Sequence, residues 1–559
     1  NAGNVRTSRN RADIRIDVTK PTATVSYDNN VAYYDYFFNR DRVATIVVTE
    51  RNFDPTLFNL ALTNTAGAVP ALSAWEKVTG TGNGDDTRWI AKLVFTHDGD
   101  YTFEFSFADA ADNACSSISY GDSVRPNAFT MDQTRPVISV AFDNNDAQHE
   151  NYYKKGRTAT ITVEEHNFDP NLITIVQSAV QDEQEMAVPT LSEWTTNKDT
   201  HTATLQYTDD AYYILTVDAL DKANNTAESN ISQAFFVDKV APQIRITGID
   251  ADGAYNGDVL PAIECEDVNF DPLNVQIEIT RSLDAELPFT ANTVEIRHGI
   301  KTTYENVPAI EENDDIYTVK VTVTDMAGNQ SVSEKTFSIN RFGSTYSLDE
   351  TVSSLLGTYI SNPSDIVLKE VNPDELSDIR VTIFKNNETI VLNEDKDYTV
   401  SVGDAKGAWK EYTIKIKDSV FQDDGVYRVS VHSVDKAGNV SENTMETKDK
   451  AISFGVDKTL PRIVVTNVEN GKTYPLDNLP VEMTVNDNLQ LASVKVYLDG
   501  EDNLLKEWTE EEIRNMENSR SDFNFDISGE SKQSHRLLVV AVDSAGNVQR
   551  EEISGFYVT

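Results

Sequence analysis

The chain has 559 residues, too many for one hydrophobic core, since single domains usually run to about 100–150 residues. Its composition, 39% hydrophobic and 25% charged with 22 Tyr and 23 Phe, excludes disorder over most of the length and supplies large side chains for several small cores. Lys and Arg number 48 against 91 Asp and Glu, and the net charge of −43 excludes nucleic acid and anionic lipid as partners.

Taken from the N-terminus, Asn1-Ala2-Gly3-Asn4 matches the end of a motif that returns inside every later repeat. Residues 1–18 are therefore expected to be the tail strand of a preceding repeat, and the chain a piece of a longer one. Asp17-Val18-Thr19-Lys20-Pro21 leads into an alternating run. A proline fixes φ and lacks a donor, so it suits a first strand or the linker before it. Thr45 to Thr49 is a β-branched strand that ends at Glu50-Arg51-Asn52-Phe53-Asp54-Pro55. A later strand begins at Tyr101, and the turn Asp109-Ala110-Ala111-Asp112-Asn113 follows it. Asp132-Gln133-Thr134-Arg135-Pro136 then opens the next unit, which bounds a first domain at 19–133.

The series returns with a period of roughly 100–115 residues, the size of one sandwich domain. The second domain, 134–239, carries Glu165 to Pro170, Tyr212, Asp221-Lys222-Ala223-Asn224-Asn225 and the linker Asp238-Lys239-Val240-Ala241-Pro242. Val69-Pro70-Ala71-Leu72-Ser73-Ala74-Trp75 and Val188-Pro189-Thr190-Leu191-Ser192-Glu193-Trp194 make the first two domains the closest pair. The third, 240–340, carries Asp267 to Pro272, Tyr317 and Asp325-Met326-Ala327-Gly328-Asn329. It exits through Arg341-Phe342-Gly343-Ser344-Thr345-Tyr346 without a linker aspartate, so its junction with the next domain is expected to pack differently. In the divergent fourth, 341–458, the strand-ending motif becomes Glu370-Val371-Asn372-Pro373-Asp374, and Asp423-Asp424-Gly425-Val426-Tyr427 precedes Asp435-Lys436-Ala437-Gly438-Asn439. After Asp457-Lys458-Thr459-Leu460-Pro461 the fifth, 459–559, keeps only Asp487-Asn488-Leu489 of that motif, then Asp543-Ser544-Ala545-Gly546-Asn547.

The Asp-x-Gly-x-Tyr approach to the penultimate strand resembles the tyrosine corner of immunoglobulin-like sandwiches. Val429 occupies the place of the second cysteine of antibody domains, and Cys115 and Cys265 fall in different repeats, so the cores are expected to lack disulfides. The turn and linker motifs together resemble the bacterial immunoglobulin-like (Big) repeats of large surface proteins and adhesins, over essentially the whole chain. The resemblance implies an all-β fold of about five tandem Ig-like antiparallel β-sandwich domains in an extended array, extracellular at a bacterial cell surface or secreted. It implies a non-catalytic stalk that spaces or displays a binding or catalytic domain, with neighbouring domains of the same chain as partners and a host or glycan ligand elsewhere. At about 3.4 Å per residue, strands of around ten residues make each sandwich roughly 35–40 Å long. No cofactor is required. In some giant adhesins of this kind Ca²⁺ sits near the junctions, and the matching positions here are Asp109, Asp132, Asp221, Asp238, Asp435 and Asp457, with Asp325 and Asp543 in the equivalent turns.

A structural reading competes with the metal and is preferred for the turns. Asp bonds its own turn, and Gly or Asn supplies the positive-φ position. Ca²⁺ takes about 6–8 oxygens, so a turn aspartate would have to recruit linker carboxylates and carbonyls. Glu50, Asn52 and Asp54 lack the glycine and downstream glutamate of a calcium loop and are read as a turn with Phe53 packed inward. The seven histidines show no zinc spacing, and no nucleophile elbow or phosphate-binding glycine loop occurs, so the chain is not expected to be an enzyme. An alternative function is an accessory carbohydrate-binding module of a large secreted glycan-degrading enzyme. Trp75 and Trp194 are expected in the core, whereas Phe37 and Phe38 are expected to form an exposed aromatic cluster.

Overall fold

A computed structural model of the chain describes residues 14–78, 86–516, 523–529 and 533–559. Alternation of apolar and polar residues sets each sandwich. In Arg157–Glu164 the side chains of Arg157, Ala159, Ile161 and Val163 are buried, while the three threonines between them are partly exposed, the period of two of a half-buried strand. This strand lies in a four-stranded sheet ordered Val137–Phe142, Arg157–Glu164, Thr200–Tyr207, Thr195–Asn197. The facing sheet is ordered Ala147–His149, Tyr152–Tyr153, Ile231–Val237, Ala211–Ala219, Ile173–Gln181, Gln184–Glu185. Neighbours are antiparallel, except that Tyr152–Tyr153 runs parallel to Ile231–Val237. An A-B-E-D sheet against a G-F-C sheet, with the chain crossing between sheets after its first strand, is immunoglobulin-like topology.

The plan recurs in the other repeats. In the first, Arg42–Thr49 pairs between Thr22–Tyr27 and Arg88–Phe95, opposite a sheet of Phe37–Phe38, Ala128–Met131, Gly99–Ser106 and Asn59–Asn64. In the third, Gln243–Thr247, Ala262–Glu266, Gly299–Tyr304 and Ala291–Ile296 face Gly253–Tyr255, Gln330–Ile339, Asp315–Thr324 and Val275–Arg281. In the fourth, Ile366–Asn372 pairs between Thr345–Leu348 and Lys410–Ile416, and Gly425–Asp435 anchors the facing sheet. The fifth has a sheet around His535–Asp543, and among the described residues two further strand pairs, Arg462–Val465 with Met483–Asn486 and Asn478–Val481 with Phe525–Ser528. The all-β tandem Ig-like fold expected from the repeats is thus the one found. The chain divides into two compact units, Asn1–Pro242 with Asp267–Asp271 and Thr324–Gln330, and Gln243–Glu266 with Pro272–Val323 and Ser331–Thr559.

The corner tyrosines sit eight residues before each turn aspartate. The buried phenols of Tyr101, Tyr213, Tyr317 and Tyr427 donate to the carbonyls of His97, Asp209, Asn313 and Asp423 at 2.9, 2.9, 2.8 and 2.8 Å. Tyr212, expected at the second corner, is half-buried and packs at a tilt against Phe236, because the strand alternates and Tyr213 faces the core. His535 holds the fifth corner position and bonds Asp499 at 2.9 Å.

Two further expectations change. Phe37 and Phe38 are 4% and 0% exposed, since both lie in the strand that pairs with Ala128–Met131, and the exposed members of that run are Tyr34 and Tyr36. Of the expected tail strand at 1–18, residues 1–13 lie outside the described residues, and 14–18 form no strand. The interior reading of the tryptophans stands in a qualified form. Half-buried Trp75 and Trp194 pack on Phe53 and Phe168, at ring distances of 4.8 and 5.2 Å. Val429 is fully buried, and both cysteines are free.

Candidate metal centres at the domain junctions

Each turn motif closes the same way. Asp221 N–H donates to Asn225 O at 3.2 Å, and Asn224 at φ 68° reverses the chain. In the later repeats glycine takes this position, at φ 81° in Gly328 and 88° in Gly438. The Asp221 carboxylate accepts Asn225 N at 2.8 Å and Asn225 Nδ2 at 2.7 Å. Asn225 Nδ2 also reaches the carbonyl of Asp132 at 2.9 Å, which fastens the turn to the linker that precedes its own domain.

That bond brings a linker carboxylate against the turn carboxylate, and a third joins them from the end of the second strand. Asp132, Glu165 and Asp221 each present an oxygen, and the three lie within 4.8 Å of one another. All three residues are buried, and among the described residues none is in an ion pair. Asn167 orders the group, donating Nδ2 to Asp132 Oδ2 at 2.7 Å and N–H to Glu165 Oε1 at 2.6 Å. Glu165 Oε2 is buried with no hydrogen-bond partner. An uncompensated carboxylate in such a place is costly, and a proton or a cation relieves it. Burial accordingly pushes Glu165 up to about 7 and Asp132 to about 6, and raises Asp221.

The same triplet recurs as Asp17, Glu50 and Asp109, as Asp238, Asp267 and Asp325, and as Asp457, Asp487 and Asp543. In the third triplet Asn269 bonds Asp238 at 2.8 Å and Asp267 at 2.7 Å, and burial pushes Asp267 up to about 7. In the first, Asn52 bonds Glu50 at 2.7 Å and also reaches Asp17, whose pKa that amide holds down. In the last, Asp457 is pushed to about 6, by burial first and then by Asp487.

The linker aspartates therefore join the turn of the following repeat: Asp132 meets Asp221, Asp238 meets Asp325, and Asp457 meets Asp543. Asp109 meets Asp17 in the same manner. Asp435 falls in no such triplet among the described residues, and its Oδ2 faces the amides of Asn340, Asn372 and Asn439. Glu50, read from the sequence as part of a turn only, supplies a third carboxylate, as do Glu165, Asp267 and Asp487. The turn reading holds for the rest of that motif. Asp54 caps the short helix Pro55–Leu57 through Thr56 N at 2.9 Å, and Phe53 is buried. The signal for the third carboxylate was an acidic residue recurring at the head of the motif.

Oxygens up to 4.8 Å apart can share one Ca²⁺, whose oxygen ligands lie about 2.3–2.6 Å from the ion. Such a site is chemically hard and made of oxygen, which suits Ca²⁺ over zinc or copper.

These folds and sites define a class, a chain of Ig-like sandwiches with acidic clusters at the linkers. No family model matches the chain, and no curated protein matches it. Among solved structures, it is similar to a tetra-tandem repeat in the extending region of a large adhesion protein, at 17% identity over 78% of this chain and 100% of that one, with a TM-score of 0.34. It is similar to the protocadherin GammaB4 extracellular domain at 14% identity over 90% and 78% of the two chains, with a TM-score of 0.25. The N-terminal eight Ig domains of Down syndrome cell adhesion molecule match at 11% identity over 97% and 71%, with a TM-score of 0.21.

Proposed function

We propose that this chain is a non-catalytic segment of an extracellular bacterial surface protein, in which Ig-like repeats space or display a binding or catalytic domain and Ca²⁺ at the junctions sets their stiffness. The observation that carries the reading is the recurring triplet, buried throughout at Asp132, Glu165 and Asp221 and with one half-buried member in each other copy, made each time from one linker aspartate and two acidic residues of the following domain. Glu165 Oε2, buried and unpaired, adds that at least one triplet lacks a partner its charge requires. Asp132, Glu165 and Asp221 would hold the ion between them, as would their equivalents. Bound there, it would offset most of the carboxylates' charge and tie the linker to the following domain. The motif resemblance to bacterial Ig-like repeats supports the surface location and the role as a spacer.

Small-angle scattering and calorimetry of the whole chain in millimolar Ca²⁺ and in chelator test this. A particle that grows more compliant and melts lower on chelation supports the reading. Scattering and melting that do not respond to calcium oppose it. For the alternative, a carbohydrate-binding module, the supporting feature is the exposed pair Tyr34 and Tyr36, which a glycan array would probe.

A further inference from the structure

The junction that follows the third sandwich is built from the same parts with one change. Asn340 stands where the other linkers have aspartate. Its N–H donates to Tyr255 O at 2.8 Å, as that of Asp132 does to Phe38 O at 2.9 Å. Its carbonyl accepts Asn439 Nδ2 at 2.7 Å, as that of Asp132 accepts Asn225. The side chain of Asn340 is fully buried, and its Nδ2 lies 2.8 Å from Asp435 Oδ2, 2.9 Å from Asp374 Oδ2 and 2.9 Å from Asn372 Oδ1. Its Oδ1 accepts Gly343 N at 3.0 Å. The positive end of an amide dipole thus occupies the place where three acceptor oxygens converge. Glu370, at the position of Glu165, gives its Oε1 to Tyr346 and Ser433 and joins no carboxylate triplet among the described residues, although its Oε2, like that of Glu165, is buried without a partner.

A second set of contacts joins the same two sandwiches. Trp409 Nε1, from the fourth, donates to Asp315 Oδ1 of the third at 3.0 Å, and buried Asp315 is also paired with Arg281 at 2.8 Å. Asp374 of the fourth accepts Ser338 Oγ of the third at 2.5 Å, and Lys436 reaches Asp252 at 2.7 Å. Hydrogen bonds to a charged acceptor are the strong class, and those to Asp315 and Asp374 are buried, whereas the Lys436–Asp252 pair is exposed and adds little.

We propose that the Asn340 amide takes the place of a metal ion, so that the third and fourth sandwiches form a cation-independent locked pair. The contrast with the other junctions rests on the calcium reading above, but the lock rests on these bonds alone. Hydrogen exchange of the whole chain in millimolar Ca²⁺ and in EDTA separates the two. The amides of 341–344 are expected to exchange slowly and equally in both, while those of 133–134, 239–240 and 458–459 slow by about tenfold with calcium. If no amide responds to calcium, the calcium reading fails, yet slow exchange at 341–344 in EDTA upholds the lock. Exchange at 341–344 in EDTA as fast as at 133–134 overturns it. Asn340→Asp, which sets a third carboxylate beside Asp374 and Asp435, is expected to speed exchange at 341–344 by about tenfold in EDTA and to regain protection with calcium. Asn340→Ala, which adds no charge, should lose protection that calcium does not restore. Protection unchanged in either variant in EDTA would show that the amide is not what holds the junction.

Discussion

Asn225 donates one side-chain nitrogen to two partners, the Asp221 carboxylate at 2.7 Å and the Asp132 carbonyl at 2.9 Å. One residue therefore closes a turn and fixes the linker that enters its own domain. Asn113, Asn329, Asn439 and Asn547 repeat the arrangement on Asp17, Asp238, Asn340 and Asp457.

Asn225→Ala removes both bonds and leaves a buried carboxylate less satisfied. It should cost about 1–3 kcal/mol in the second sandwich. Exchange at Asp132 to Thr134 should accelerate, while the third sandwich stays unchanged. Hydrogen exchange with mass spectrometry reads both.

Glu165→Gln separates the two roles of a triplet carboxylate by sign. In chelator the variant should be more stable than the parent by roughly 1–3 kcal/mol, because a buried charge with an unpaired oxygen has been neutralised. In calcium it should lose the response of that junction, with affinity there weakened at least about tenfold. Calorimetry with and without Ca²⁺ measures both, and a variant less stable in chelator would argue against an uncompensated charge.

The pH dependence follows from the raised carboxyls. Glu165 and Asp267 reach about 7, and Asp132 and Asp457 about 6. Between roughly pH 4 and 7 the folded chain thus retains protons that the unfolded chain has released. Their contribution to stability is full below about pH 4 and is lost as pH rises through 6 to 7. The melting temperature in EDTA should therefore fall from about pH 5.5 to 7.5, and Glu165→Gln should flatten that slope. Calcium competes with the same protons, so its apparent affinity should weaken on acidification over the same interval.

Tyr213→Phe removes the corner bond to Asp209 and should destabilise the second sandwich by about 1–2 kcal/mol. Tyr212→Phe, one residue away on the other face, should stay within about 0.5 kcal/mol. Urea denaturation of both variants distinguishes the corner from its neighbour.

The repeat pattern made the sandwiches legible, because Asp109, Asp221, Asp325, Asp435 and Asp543 mark one turn in five copies. It also pointed to the linker aspartates. Glu50, Glu165 and Asp267 were harder to place, since a calcium loop contiguous in sequence is a different object from three carboxylates that meet only after a sheet has formed. Tyr212 and Tyr213 are indistinguishable by type, but the constant spacing of eight residues to the turn aspartate singles out Tyr213, and the alternation of Ala211–Ala219 turns that residue inward. Phe37 and Phe38 look like a surface run beside Tyr33, Tyr34 and Tyr36, yet they enter a short parallel pairing with Thr130 and Met131. Nothing local to Asn340 marks it as the equivalent of Asp132. The register appears through Asn439, which lies far from it in the chain.

Each linker residue divides its own peptide groups between two domains. Asp132 gives its N–H to Phe38 of the domain behind and its carbonyl to Asn225 of the domain ahead, and Asp238, Asn340 and Asp457 do the same with their own neighbours. One inserted residue would break one of the two attachments, whereas a whole repeat added or removed in register would restore both. The length of such a chain can therefore change by whole repeats but not by single residues if both main-chain attachments of each linker are to be kept.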